Sequence, residues 1–309
     1  MSDKAQKGRE GEMRTGRFEI VMAARYGMCF GVRDALEAAE GVARQGPVTV
    51  LGQLVHNEVV RKRMADLGAR EGDLWARGAE TKEVVVTAHG ASDRDRARWR
   101  AAGYRLTDTT CPLVHKAHHA LAQLVAAGCA PVVIGKRDHV EVRGLTGDFP
   151  GAQVVLTEQD VDHLAFAPVF GVVSQTTQPI ERVRRVVEMI ERRHPESRVE
   201  FRDTVCQPTK ARQDALTALC REVELVLVVG GSNSNNSWQL VEKARGLGCR
   251  AERAGVPGDV KEHWLHGVHR VGVTAGTSTL EETVQAVVRH LRVLGGTRRE
   301  HAKEEHQVG

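Results

Sequence analysis

Three cysteines carry the first chemical signal. "DTTC" at 108–111 and "DTVC" at 203–206 are nearly the same phrase. Each ends a short β-like run, "YRLT" at 104–107 and "VEFR" at 199–202, and each precedes a proline-marked helix start. Cys29, in "YGMCFGV" after the strand-like "FEIVMAA", is a third of the same kind. The spacings, 111 − 29 = 82 and 206 − 111 = 95 residues, each fit one small α/β domain. The simplest reading is three related domains that each offer one thiolate to a shared centre. A cysteine at a helix start faces the positive end of the helix dipole, which favours thiolate. Pro112, directly after Cys111, suits the first helical position, where its missing N–H costs nothing. Three thiolates can hold zinc with one open position, or three irons of a cubane iron–sulfur cluster whose fourth iron stays open as a Lewis acid and electron donor. No C-x-x-C pair strengthens the signal, and Cys129, Cys220 and Cys249 read as small buried apolar residues.

The elements that must position these thiols alternate along the chain. Apolar, β-branched runs recur at "VTVLG" (48–52), "EVVVTAHG" (83–90), "PVVIGKRDH" (131–139), "FGVVSQTT" (170–177), "ELVLVVGGSNS" (224–234) and "RVGVTAGTS" (270–278). Fully buried parallel strands read this way. Amphipathic helical stretches lie between them, among them 31–45, 114–128 and 181–194. The alternation predicts an α/β protein of three small domains with mostly parallel sheets. The expected domains are 17–112, 113–205 and 206–297, with charged, disordered tails at 1–16 and 298–309. Nearly every strand ends in polar residues: His56-Asn57, His89-Gly90, His139 with Glu141, Gln175-Thr176-Thr177, Ser232 to Ser237, and Thr277-Ser278. Ligands of parallel α/β sheets bind at the carboxyl ends of strands. Three such domains facing inward would enclose one polar pocket lined by the cysteines.

Bulk properties narrow the class. A chain of 309 residues supports two or three domains with cores. No apolar run is long enough to cross a bilayer, and the polar, mixed-charge "MSDKAQKGREGEMRTGR" has no signal-peptide core. A cytoplasmic protein without a membrane anchor is expected, so its six cysteines are not expected to form disulfides. A net charge of +4 suits an anionic substrate or acidic partner but is too weak to argue nucleic acid. No G-x-G-x-x-G fingerprint for a flavin or nicotinamide is evident.

Taken together, the motifs resemble the 4-hydroxy-3-methylbut-2-enyl diphosphate reductases, the LytB-type iron–sulfur enzymes of the non-mevalonate isoprenoid pathway. The resemblance runs from about Phe18 to about Gly296 and rests on "GMCFGV" (27–32), "LVHNEVV" (54–60), "TAHGAS" (87–92), "DTTCPLVHKAH" (108–118), "HVEVRG" (139–144), "SQTTQP" (174–179), "VCQPTKARQDAL" (205–216), "GGSNSNNS" (230–237) and "VTAGTSTLEETV" (273–284). It implies three α/β domains in a trefoil around a 4Fe–4S cluster with one open iron. It also implies reductive removal of an allylic hydroxyl, giving isopentenyl and dimethylallyl diphosphate, with ferredoxin or flavodoxin as electron donor.

By the same resemblance, Cys29, Cys111 and Cys206 match the cluster ligands. Glu141 matches the proton donor, and Thr176 matches the residue that orients the substrate hydroxyl and relays the proton. His56, His89 and His139 match a ring around the substrate. Ser234, Asn236 and Ser278 match the diphosphate cradle, with Asn235 where many members carry serine. Hydroxyls and amides at helix N-termini are suitable diphosphate donors. The other histidines, His115, His118, His119, His163, His194, His263, His266, His269 and His290, read as helix-surface or loop residues. Two departures stand out. "GKRDHVE" puts Lys136 and Val140 where the family often has histidine and proline. The tail after about 296 is short where many members continue with a further strand, which bears on how the first domain's sheet edge is covered. A non-redox zinc lyase or hydratase on the same thiolates, and an iron–sulfur sensor that binds a diphosphate without turnover, are the alternatives.

Overall fold

In the computed structural model, residues 17–298 are described. Among them lie thirteen strands and ten α-helices in three sheets. Every pairing between strands is parallel. One sheet runs in the order β3 (Arg70–Glu71), β2 (Val48–Val50), β4 (Glu83–Val86), β5 (Arg105–Asp108). A second runs β7 (Gln153–Val155), β6 (Ala130–Ile134), β8 (Val169–Ser174), β9 (Arg198–Phe201). The third runs β11 (Arg250–Ala254), β10 (Leu225–Val229), β12 (Arg270–Ala275), β1 (Phe18–Met22), β13 (Gly296–Arg298).

The helices are α1 (Phe30–Ala43), α2 (Glu58–Asp66), α3 (Asp93–Ala101), α4 (Pro112–Ala126), α5 (Val140–Gly147), α6 (Glu158–Asp162), α7 (Ile180–Arg193), α8 (Gln207–Leu219), α9 (Asn235–Gly246) and α10 (Glu281–Val293). None is long and apolar enough to cross a membrane.

Each sheet is covered on both faces, which explains the unbroken apolar strands. β10, "LVLVV", is buried at every position. Successive side chains of a strand point to opposite faces. Leu225, Leu227 and Val229 accordingly pack with Val284, Val287 and Leu291 of α10, while Val226 and Val228 pack with Leu216 and Leu219 of α8 and Leu240 of α9. The other two sheets are likewise sandwiched between separate apolar clusters.

The strand orders repeat one plan. In each sheet the fourth position is held by the strand that leads to a cavity cysteine: β5 before Cys111, β9 before Cys206, and β1 before Cys29. β1 therefore belongs with β10, β11 and β12, paired to β12 from Glu19↔Arg270 to Met22↔Val273. This corrects the expected first domain, 17–112, whose opening strand completes the last sheet instead. Each cysteine then caps the helix that leads into the next sheet.

The pairing of the short tail answers how the edge beside β1 is covered. β13 pairs with β1 from Phe18↔Gly296 to Ile20↔Arg298, so a short strand covers it. Of the predicted tails at 1–16 and 298–309, Arg298 lies in β13 and the rest fall outside the described residues. Gly296 allows the close approach: a Cβ there would stand 2.7 Å from Ile20 Cδ1 and Phe18 Cε2, and 2.9 Å from Leu291 O. Gly296→Val should therefore lower stability by about 1–3 kcal/mol through overpacking. Urea denaturation checks this, and an unchanged midpoint would show that β13 does not press on the core.

Candidate active site

The carboxyl ends of strands from all three sheets open onto one cavity. All twelve candidate residues line it: Cys29, Cys111, Cys206, His56, His89, His139, Glu141, Thr176, Ser234, Asn235, Asn236 and Ser278. None of the nine histidines read as surface or loop residues does.

The cysteines are helix N-caps, Cys29 of α1, Cys111 of α4 and Cys206 of α8. Their backbone N–H groups make equivalent bonds. Cys29 N donates to Thr277 O at 3.1 Å, Cys111 N to Ala88 O at 3.1 Å and Cys206 N to Thr176 O at 2.9 Å. Each acceptor lies two residues past the end of a sheet's third strand, β12, β4 or β8. Burial pushes the Cys206 thiol up to about 11, although hydrogen bonding to Thr209 pulls it down. Burial likewise raises Cys111, opposed by the N–H groups of Leu113 and Val114. The negative charges of Cys29 and Glu141 raise both thiols further. Such a set gains from a bound cationic centre, because metal ligands must be deprotonated. Packing leaves no slack beside it, since a Cβ on Gly31 would collide with Cys111 Sγ.

The acid–base group sits opposite. Glu141 is 1% exposed in the first turn of α5. Its Oε1 accepts the Thr176 N–H at 2.6 Å. Burial raises its pKa to about 7 against the lowering effect of the Thr176 bonds. A carboxyl at that pKa exchanges protons near neutral pH, as a general acid must.

His139 caps the same helix, its Nδ1 accepting the Glu141 N–H at 3.2 Å. That bond leaves Nε2 as the protonated, donating nitrogen of the neutral ring. His139 meets His56 and His89 edge to face, with ring centroids 5.5 Å and 5.4 Å away, and those two rings lie 4.5 Å apart. Burial holds His139 down to about 3, with His56 and Lys136 adding to the effect. His56 is lowered by burial and by Lys136, and His89 by burial and its two neighbours.

The third wall is a hydrogen-bond cradle. Ser234 caps α9, accepting from Ser237 N at 3.3 Å and Ser237 Oγ at 3.0 Å. Asn236 Oδ1 accepts the Thr277 N–H at 3.0 Å, which turns its amide N–H₂ outward as a free donor. Asn235 Nδ2 is buried without a protein partner. Ser278 Oγ donates to His56 O at 3.4 Å, and Asn57 Nδ2 donates to Ser278 O at 2.6 Å. Asn57 also caps α2, so one side chain fixes both the histidine loop and the Ser278 loop. Gly230 and Gly276 make room, since a Cβ on either would collide with Ser237 Oγ.

Two donor sets compete as a metal site, and their surroundings separate them. Among the described residues, the only trio with ligand atoms all within 4.8 Å is His56, His89 and His139. The charge felt by His56 and His139 is that of Lys136, a cation, so this corner suits an anion. The three sulfurs do not close to that distance. A single tetrahedral zinc at Zn–S of about 2.3 Å needs sulfurs roughly 3.8 Å apart. The sulfurs therefore form no closed trio for a single zinc, and nothing here favours the zinc alternative. Reasoning from sequence missed Thr209, 3.0 Å from Cys206 Sγ, and gave Asn57 and Thr277 no role beyond their place at strand ends. Thr209 left a faint signal as a hydroxyl three residues after a helix-capping cysteine.

Fold and site together define a class: a parallel α/β protein with a thiol-lined, anion-accepting cavity at the meeting of three sheets. The LytB protein family matches residues 20–292, and the chain belongs to that family. A 4-hydroxy-3-methylbut-2-enyl diphosphate reductase of Ralstonia nicotianae is 35% identical over 285 residues, covering 90% of this chain and 87% of its own. The reductase of the same name from Geobacter metallireducens is 33% identical, covering 89% and 97%. The structure of the E-1-hydroxy-2-methyl-but-2-enyl-4-diphosphate reductase of Plasmodium falciparum superposes with a TM-score of 0.83 at 26% identity, over 94% of each chain.

Glu141 offers a direct test of the cavity's electrostatics. A carboxyl raised from 4.5 to about 7 stabilises the fold as the neutral acid. That contribution is complete below about pH 4.5 and is lost as pH rises through about 7. Glu141→Gln stays neutral, so it should gain roughly 3 kcal/mol on the parent chain across that window. Paired urea denaturations of metal-free protein from acid to mildly basic pH measure the difference. A difference that does not change with pH would show that folding does not shift the Glu141 pKa.

Proposed function

We propose that this chain is an iron–sulfur reductase that converts 4-hydroxy-3-methylbut-2-enyl diphosphate to isopentenyl and dimethylallyl diphosphate, the last step of the non-mevalonate pathway. One observation carries the reading: three helix-capping cysteines from three sheets face a buried, neutral-prone glutamate and a polar cradle in a single cavity. The family membership and the names of the relatives support it. So does a second similar structure, 30% identical with a TM-score of 0.65, that of an (E)-4-hydroxy-3-methyl-but-2-enyl diphosphate reductase described as the terminal enzyme of that pathway.

In this reading Cys29, Cys111 and Cys206 hold three irons of a 4Fe–4S cluster and leave the fourth open. When bound, the cluster would pass on, one at a time, two electrons from an external donor and would offer a Lewis-acidic position for the departing oxygen. The protein's own groups do the rest. Ser234, Asn235, Asn236 and Ser278 bind the diphosphate with hydroxyl and amide donors, at the N-termini of α9 and α10, where the helix dipoles favour anions. His139 adds its Nε2 N–H, and His56 and His89 close the wall. Neutral imidazoles beside a dense anion are drawn toward protonation, so the trio can strengthen its hold as the diphosphate arrives.

Glu141 carries the transferable proton on Oε2, because Oε1 is engaged by the Thr176 N–H. Thr176 hydrogen-bonds that carboxyl and lines the same cavity, which suits it to align the substrate hydroxyl and pass the proton to it. The hydroxyl leaves as water, and the allyl fragment, reduced by two electrons, takes a second proton at carbon to give either product. The apolar wall of Val55, Ala88 and Val114 limits competing solvent.

A ferredoxin or flavodoxin is the proposed electron donor, and the cytoplasm the proposed location. Three α/β units with joints near 112 and 205 remain the proposed domain plan, with β1 assigned to the third.

Protein purified without air should contain iron and acid-labile sulfide in near-equal amounts, and Cys206→Ser should lose or destabilise both. Glu141→Gln should keep the cluster while turnover falls by about 10²–10⁴-fold. Stoichiometric zinc without sulfide would refute the redox mechanism. Full turnover in the glutamine variant would remove Glu141 as proton donor.

A further inference from the structure

Six residues after each cavity cysteine lies a buried helix position: Ala35 in α1, Ala117 in α4 and Arg212 in α8. Two hold methyl groups. The third holds a guanidinium, in a residue only 7% exposed. Gly27 O accepts from Arg212 Nε at 3.0 Å and from Nη2 at 2.6 Å. Pro208 O accepts from Nη1 at 2.8 Å. Gly27 lies two residues before Cys29 and Pro208 two after Cys206, so this one side chain clips together the segments that carry two of the three thiols. Gly27, at φ +74°, makes the turn that presents its carbonyl.

An arginine stays charged inside a protein, and a buried charge without an opposite one is costly. Among the described residues no carboxylate pairs with Arg212; its hydrogen-bond acceptors are carbonyls. Burial pushes its pKa down, and the negative charges of Cys29 and Cys206 pull it back up, with Arg25 opposing. The counter-charge is therefore the sulfur-bound centre itself.

We propose that Arg212 is a positioning residue for that centre, holding the Cys29 and Cys206 segments together while its fixed positive charge makes the centre easier to reduce. The proposal rests on the iron–sulfur reading above. Reduction adds negative charge to a group already anionic through its thiolates. A cation fixed nearby, screened by little water, stabilises the reduced form more than the oxidised one.

The test uses full-length protein purified without air: the native chain, Arg212→Lys and Arg212→Gln. Iron and sulfide content, the rate of iron loss to a chelator, and a redox titration followed by electron paramagnetic resonance are measured on each. The glutamine variant should be about tenfold harder to reduce, which is about 59 mV for one electron, and should lose iron faster. The lysine variant should restore the potential, since it keeps the charge. It should still lose iron faster, because a single ammonium does not reproduce the rigid fork across both carbonyls.

A glutamine variant that keeps its cluster and the native potential overturns the proposal alone. A lysine variant as hard to reduce as the glutamine one removes the charge as the cause. If the glutamine chain does not fold, a native rate of iron loss in the lysine variant overturns the positioning role. A native protein free of iron and sulfide would defeat the iron–sulfur reading, and this inference with it.

Discussion

One hydrogen bond, made three times, ties this structure together: the peptide N–H of a cavity cysteine donating to a carbonyl just beyond the neighbouring strand. Each bond joins a sheet's fourth strand to its third at the end where ligands collect. Because the acceptors are Ala88, Thr176 and Thr277, each thiol is fastened to a loop that also carries His89, Thr176 or Ser278. The sulfur side and the substrate side of the cavity are therefore positioned by the same backbone contacts. A shift of one strand end would move both, which limits how independently either side can vary.

Electrostatics follow from that closure. Burial works against charge on six titratable groups in the cavity, raising Glu141 and the Cys111 and Cys206 thiols and lowering three histidines. The fixed compensation comes from dipoles: helices α1, α2, α4, α5, α8 and α9 all start at or beside the cavity. Their N-termini supply positive potential that needs no titration. Such a chamber is poised for anions at one wall and for a proton donor at another, without free charges of its own to desolvate.

Much of this was legible in the sequence. The six long apolar runs are β2, β4, β6, β8, β10 and β12, because strands buried on both faces leave a continuous hydrophobic signal. The twelve cavity residues could be named because strand ends are where polar residues interrupt such runs. What escaped notice has a physical cause. β3, "RE", and β11, "RAERA", are edge strands, where charged side chains guard unpaired backbone and erase the pattern. β13 is three residues held by register rather than by composition. The membership of β1 in the last sheet is a long-range pairing, and no local pattern encodes which of two sheets a strand will join. Arg212 was hidden because a charged residue on an amphipathic helix ordinarily signals a wet face.

The placement of β1 has a consequence for how the protein is made. Its partner β12 lies some 250 residues later in the chain, roughly ten to fifty seconds of synthesis at ordinary elongation rates. Throughout that time "FEIVM" is an apolar strand without its sheet, the kind of segment that seeks other edges. The loop bearing Cys29 has no seat either, since its carbonyl partner Thr277 is among the late residues. The middle sheet and the sheet of β2–β5 can close early, but the cavity can be completed only when the two ends of the chain have met. Metal loading is thereby deferred to the finished chain, and the early strand is a point where chaperone protection would matter most.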